Sequence, residues 1–203
     1  MATPTDIVNI ALRRCGANRI SNLASDASKE GVVARDLYDE ARRDLLASHN
    51  WNFAVRRASL TVLATEPSFG WDYAYTLPEQ FIRLISVHPD DDDDSIIPYK
   101  LESMDSEDRV LLCNATTVYI RYIFDEQDPV AMSSGFRDTL AWRLARDFAA
   151  ALSKSTASAE LAEKMHRMTL SRAKSIEGIE DYPERMAEGD WVTARQPNKV
   201  IIT

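Results

Sequence analysis

Two stretches of helical periodicity, one toward each end of the chain, enclose a middle segment where that period is lost and prolines recur. This alternation limits the fold more than any other feature, because a sequence patterned at 3.6 residues cannot also present one face as a strand. Near the start, Thr5 can cap a short helix with Ile7, Val8, Ile10, Ala11 and Cys15 as its stripe and Gly16 as its stop. Ser28 can cap a longer helix with Val32, Val33, Leu37, Tyr38, Ala41, Leu45 and Leu46 on one broad face, which is expected to be the spine of the core. Pro67, Gly70, Pro78, Pro89 and Pro98 then punctuate candidate strands over 58–63, 72–77, 82–88 and 96–101, and the β-branched and aromatic run 116–124 is the clearest strand of all. Helical spacing returns after Pro129: Ser133 or Ser134 can cap a third helix burying Phe136, Leu140, Ala141, Leu144, Ala145, Phe148 and Leu152. A fourth, 158–177, carries the weaker stripe Leu161, Met165, Met168 and Ala173.

The expected fold class is therefore α+β, mainly α: a four-helix bundle-like core with a central inserted β region and an extended C-terminal arm. Its parts are N-terminal helices over 1–55, a β-rich insertion with an acidic loop over 56–128, C-terminal helices over 129–178 and the arm over 179–203. The arm follows from Pro183, Gly189 and Pro197, which break any helix, and from apolar residues that stand isolated or terminal: Tyr182, Trp191, Val200, Ile201 and Ile202. Apolar side chains so placed cost solubility unless they dock.

Charge is distributed unevenly. Residues 86–110 hold nine acidic against two basic residues, so that region carries −7 of the chain's −8. At its head stands Asp90-Asp91-Asp92-Asp93-Asp94, which lacks the spaced carboxylates and bidentate Glu of a calcium loop and reads either as a solvated loop tip or as a negative wall. Basic residues lie along the last two helices as Arg137, Arg143, Arg146, Lys154, Lys164, Arg167, Arg172 and Lys174, alternating with acids in the manner of a solvated face with local pairs. Binding DNA would need them clustered on one face.

Little else points to chemistry. His49, His88 and His166 sit in separate segments without a second ligand at i+4, so no metal is expected; His49 reads as a helix-end histidine, with a general base as the sharper alternative. The glycines are scattered, with neither a phosphate-cradling loop nor a nucleophile elbow, so no cofactor and no catalytic residue is expected. Cys15 and Cys113 match no C-x-x-C spacing and read as small buried side chains of a reducing compartment. No apolar stretch approaches a membrane span and the N-terminus lacks a signal-peptide pattern, so synthesis in the cytoplasm without membrane contact is the expectation. The dense aromatic set Trp51, Phe53, Phe69, Trp71, Tyr73 and Tyr75 reads as core packing where helices meet sheet, or as a subunit contact.

One combination of motifs is more specific. Trp51-Asn52-Phe53-Ala54 with Arg57 is followed about twenty residues on by Ala74-Tyr75, Leu77-Pro78 and Arg83; Asn9, Ala11, Leu12, Gly16, Tyr38, Arg42 and Trp71 complete the set. On these residues the first 90 or so positions resemble the tail tubular protein A family of short-tailed phages, head-to-tail adaptors. The chain departs from the family pattern at Ser21-Asn22-Leu23-Ala24 and at Glu79. The resemblance implies no catalytic group. It implies a virion protein of the head-tail junction, a ring subunit, dodecameric in the virion, docking under the portal protein and receiving the tail nozzle or tail tube protein. DNA would pass through as non-specific cargo. On that expectation Trp51, Asn52, Phe53, Ala54, Tyr75, Leu77 and Pro78 define the fold, the arm meets the portal or a neighbouring subunit, and the aspartate run faces the lumen. The other readings are a tail-associated cell-wall hydrolase and a DNA-binding accessory protein.

Overall fold

The computed structural model describes residues 2–89, 95–104, 107–153 and 155–180. Asp90 to Asp94 and the arm residues Tyr182, Trp191, Val200, Ile201 and Ile202 therefore lie outside the described residues, as does Lys154.

The helices are α1 (Pro4–Cys15), α2 (Lys29–Ala47), α3 (Ser134–Phe148) and α4 (Thr156–Glu180). Between α2 and α3 run β1 (Val55–Ser59), β2 (Tyr73–Thr76), β3 (Phe81–His88), β4 (Lys100–Met104), β5 (Glu107–Cys113) and β6 (Tyr119–Phe124). The protein is α+β, mainly α, as its periodicity implies. All strand pairing is antiparallel, in two three-stranded sheets ordered β1-β6-β3 and β2-β5-β4.

The caps follow local chemistry, with one correction. Thr3, not Thr5, caps α1: its hydroxyl accepts from the Asp6 N–H while the Asp6 carboxylate accepts from the Thr3 N–H, and Pro4 takes the first helical position, where no N–H is needed. Thr5 instead accepts the Leu23 N–H at 3.1 Å, holding the following loop. Gly16 ends the helix in the left-handed region at φ 76°, which a β-carbon would disfavour. Ser28 and Ser133 cap α2 and α3 as expected.

The spine is α3 rather than α2. Phe136, Leu140, Ala141, Leu144, Ala145 and Phe148 are all 0% exposed, and α3 packs against each of the other three helices. On α2 the expected face is displaced: Val32 is exposed, and the buried positions are Gly31, Ala34, Tyr38, Ala41, Arg42, Leu45 and Leu46. One arginine sits inside because it has an ionic partner there.

The first sheet lies between the helices and the second sheet. Ile123, with Val55, Ile82 and Ile85, joins the helical core, whereas Leu84, Val87, Ile120 and Tyr122 pack against Tyr75, Leu111 and Cys113 of the second sheet. Strand bounds differ from expectation. Residues 60–63 form no strand, meeting their neighbours through the isolated bridge Val62 to Tyr75 and scattered backbone bonds; the fourth strand begins at Lys100 rather than 96, and the sixth at Tyr119 rather than 116. The central strand of the second sheet, β5, has no counterpart in the sequence reading. Its apolar half, Val110 to Cys113, is too short a run to separate from its acidic surroundings until it pairs on both sides.

Candidate functional site

The two motif blocks fall in different cores. In the first, Trp51 is 0% exposed; its Nε1 donates to the Leu45 carbonyl at 2.9 Å and its ring meets Phe136 edge-on at 5.0 Å. Asn52 donates its N–H to Glu177 Oε2 at 2.9 Å and its side-chain amide to the Glu177 carbonyl, tying this turn to the end of α4. Phe53 lies edge-on to Phe136 at 5.1 Å, and Ala54 is buried. The block is thus the joint where α2 turns into β1 and is clamped by α3 and α4. In the second block, Tyr75 is buried between the sheets and donates its hydroxyl to the Ala115 carbonyl at 2.6 Å, Leu77 packs on the same cluster, and Pro78 accepts the Phe81 N–H. Asn9 clamps the first loop by bonding both the N–H and the carbonyl of Ile20. The aromatic set divides accordingly: Trp51 and Tyr75 are core, Phe53, Trp71 and Tyr73 half-buried, while Phe69 is 88% exposed beside Gly70.

A buried ionic cluster escaped the sequence reading. Arg42, 2% exposed, donates to Asp125, 3% exposed, and to the Glu126 carbonyl at 2.7 Å; Arg43 Nε reaches the other Asp125 oxygen at 2.9 Å. Beside it the Tyr38 hydroxyl is buried, and burial pushes its pKa up to about 12. Only a long-range contact brings α2 to the residue after β6, so no local spacing announces the pair.

The fourth helix is turned about its axis relative to its apolar pattern. Ala162, His166, Ala173 and Glu177 face inward, while Leu161, Met168, Ile176 and Ile179 are 56, 57, 45 and 81% exposed and Met165 is half-buried. The expected stripe of Leu161, Met165, Met168 and Ala173 is therefore corrected: of these four only Ala173 is buried. Close approach to α3 is the cause. A β-carbon on Gly135 would stand 3.0 Å from Ala173 Cβ, so small residues are needed at that crossing, and the inward polar groups each find a partner. His166 Nδ1 lies 3.3 Å from the Thr139 carbonyl, and Glu177 holds Asn52. Outside, Leu161, Met165, Met168, Ile176 and Ile179 share one side of α4 as an apolar stripe, with the exposed Arg172 standing between Met168 and Ile176.

Burial lowers the His166 pKa from 6.5; the Thr139 carbonyl opposes this, Arg143 and Arg146 add to the lowering and Glu163 opposes it. The unfolded chain then binds more protons through the histidine range. Stability from this group is complete above pH 6.5 and is lost as pH falls toward the lowered folded value. A plot of Tm against pH should flatten in H166Q between about pH 7 and 5 relative to the parent; an unchanged slope would remove His166 from the account.

The basic residues of α3 and α4 mostly have local partners. Arg143 pairs with Asp44 and Asp147, Arg146 with Asp147 and Glu163, and Arg167 with Glu163. Glu163 is held below the usual carboxylate range first by Arg167, against desolvation, and then by Arg146. On the first sheet Arg57, Arg83 and Arg121 share the face that also bears Val55 and Ile123.

His49 is half-buried with its ring edge-on to Trp51 at 5.2 Å. Ser86 Oγ and His88 Nε2 are 2.7 Å apart and buried on β3. Cys15 and Cys113 are buried, free and in separate cores, and burial raises both thiol pKa values. A groove of about 1000 Å³ lies between the start of α1 and its following loop, lined among others by Asp6, Arg19 and Arg35. Among the described residues no cluster of three or more His, Cys, Asp or Glu is placed to hold a metal ion, and no helix is long and apolar enough to cross a membrane. No family model matches the chain, and no curated protein matches it either.

Proposed function

We propose that this chain is a structural subunit of a phage particle, the head-to-tail adaptor ring that docks under the portal, with DNA passing through as cargo. The observation that supports an assembling subunit is the outward apolar stripe of α4. An isolated chain leaves Leu161, Met168, Ile176 and Ile179 on water, and a neighbouring subunit that covers them recovers that hydrophobic free energy. A head-to-tail ring also requires two unlike surfaces on each subunit. The exposed Phe69 loop, flanked by Glu66 and Asp72, differs in shape and charge from the stripe, which has Lys164 beside it and Arg172 within it. Which assembly is meant comes from the motif resemblance, whose residues here hold joints of the fold together. The acidic run Asp90 to Asp94 and the arm keep their proposed places, at the lumen and at the portal.

Purified protein mixed with portal rings and imaged by electron microscopy is expected to add a second stacked ring. The double variant M168E/I176E should keep the parent's circular dichroism and lose the added ring, because two buried carboxylates cannot be carried in a dry contact. Deletion of 181–203 should leave the body folded and abolish portal binding. A ring formed as readily by M168E/I176E would overturn the role of the stripe, and portal binding by the truncated chain would overturn the role of the arm.

A further inference from the structure

We infer that the Phe69 loop of one copy docks on the α4 stripe of the next, with the Phe69 ring seated in a hollow beside Ile176. The inference rests on the stripe being a contact between subunits, as proposed above, and names what covers it. The loop is built to present one ring. Trp71 turns inward onto Ala74, Val110 and Leu112 on the outer face of the second sheet, and the Asp72 N–H donates to the Asn114 side chain at 3.1 Å. Gly70 adopts φ 83°, in the region that favours glycine, so the backbone can turn sharply between the two aromatic residues. Phe69 is left more exposed than any other large apolar side chain among the described residues. A ring held out on an anchored loop loses little freedom when it binds.

The receiving surface follows from the helix crossing. Gly135 has no β-carbon and Ala173 a small side chain, which lets α3 and α4 approach closely and leaves a hollow of about 210 Å³ over them. Thr169, Arg172 and Ile176 also line it, so it borders the apolar stripe. An apolar cavity of about 150 Å³ takes up benzene, so a phenyl ring fits this volume. The exposed Arg172 can lie over the face of such a ring, as Arg14 lies 4.0 Å from the centroid of Trp142. Asp138, on the wall formed by α3, is already paired with Arg14.

Charge selects this pairing over the others. Residues 60–73 contain Glu66 and Asp72 and no basic residue, whereas 164–174 contain Lys164, Arg167, Arg172 and Lys174 and no acidic one. Arg167 pairs with Glu163 and Lys174 donates to the Ser48 carbonyl, but among the described residues Lys164 and Arg172 have no ion pair. The loop brings acids to these two cations, while stripe against stripe or loop against loop sets like charges face to face. One molecule cannot make the contact with itself, because the loop covers the outer face of the second sheet and the first sheet stands between that sheet and the helices. The partner is therefore a second copy, met through an unlike surface. Such a contact repeats from each copy to the next, as a ring requires.

Cross-linking between two full-length variants tests it. S68C and S175C each place one accessible thiol beside one of the two surfaces, at exposed positions, while Cys15 and Cys113 are buried. Mixed in equal amounts and treated with a short bis-maleimide, they should give the mixed dimer about tenfold above random pairing, because docking raises the local thiol concentration. Adding F69A to the S68C chain, with circular dichroism unchanged, should return the products to random pairing. Random proportions from the first mixture would overturn the inference, and so would an excess of S175C homodimer, which means stripe against stripe. An undiminished mixed dimer with F69A would overturn the seating of the ring. No portal takes part, so the two readings fail separately. A mixed dimer with no ring added to portals keeps this contact and rejects the adaptor, and an added ring with random pairing does the reverse.

Discussion

Trp51→Ala should lower the unfolding free energy by about 3–5 kcal/mol, read as a reduced denaturation midpoint at an unchanged slope in urea. The ring is 0% exposed and packs on Phe136 and Phe53, so truncation removes buried apolar surface and leaves a void where α2, α3 and β1 meet. It also strips the Leu45 carbonyl of its indole donor. Trp51→Phe should recover part of the loss, because it refills much of the volume without restoring the hydrogen bond. This prediction separates the two readings of the aromatic set. A subunit contact at Trp51 would leave the isolated chain's stability unchanged in W51A, and a loss below about 1 kcal/mol would favour that view.

Asp125→Ala is expected to cost about 3–5 kcal/mol, because it leaves the Arg42 guanidinium inside the protein without its buried counter-charge, with only the largely exposed Asp39 at 3.3 Å. Arg43, largely exposed, can return to water and should contribute little. The double variant R42M/D125L should be markedly more stable than D125A, since replacing both members of a buried pair by apolar groups removes the desolvation cost along with the attraction. A double variant no better than D125A would mean that the pair is held for its geometry: Arg42 also reaches the Glu126 carbonyl, fixing the chain as it leaves β6.

Legibility varied between elements for identifiable reasons. Helices α1, α2 and α3 were readable because serine caps and a stopping glycine coincide with apolar periodicity. On α4 the apolar pattern marks the helix but not its buried face. The pattern assigned Leu161 and Met168 to the core, whereas a tight crossing admits Ala162 and Ala173 and tolerates His166 and Glu177 because Thr139 and Asn52 receive them. Strand β6 was legible from composition, while β5 became a strand through its partners, β2 and β4. The motif block at Trp51 was visible as residues, and its role as a clamp required Glu177, 125 positions away from Asn52.

By itself the sequence determined the order of the four helices around a central β region, the fold class and the concentration of negative charge, because caps, periodicity and turn residues act within a few positions of one another. Only the tertiary structure decided which face of α4 meets water, which carboxylate neutralises Arg42, and that Arg57, Arg83 and Arg121 share one surface. Each of these depends on strand register or helix crossing, where residues tens of positions apart come within a few ångströms, and burial and charge pairing are settled by those neighbours rather than by the residues alone.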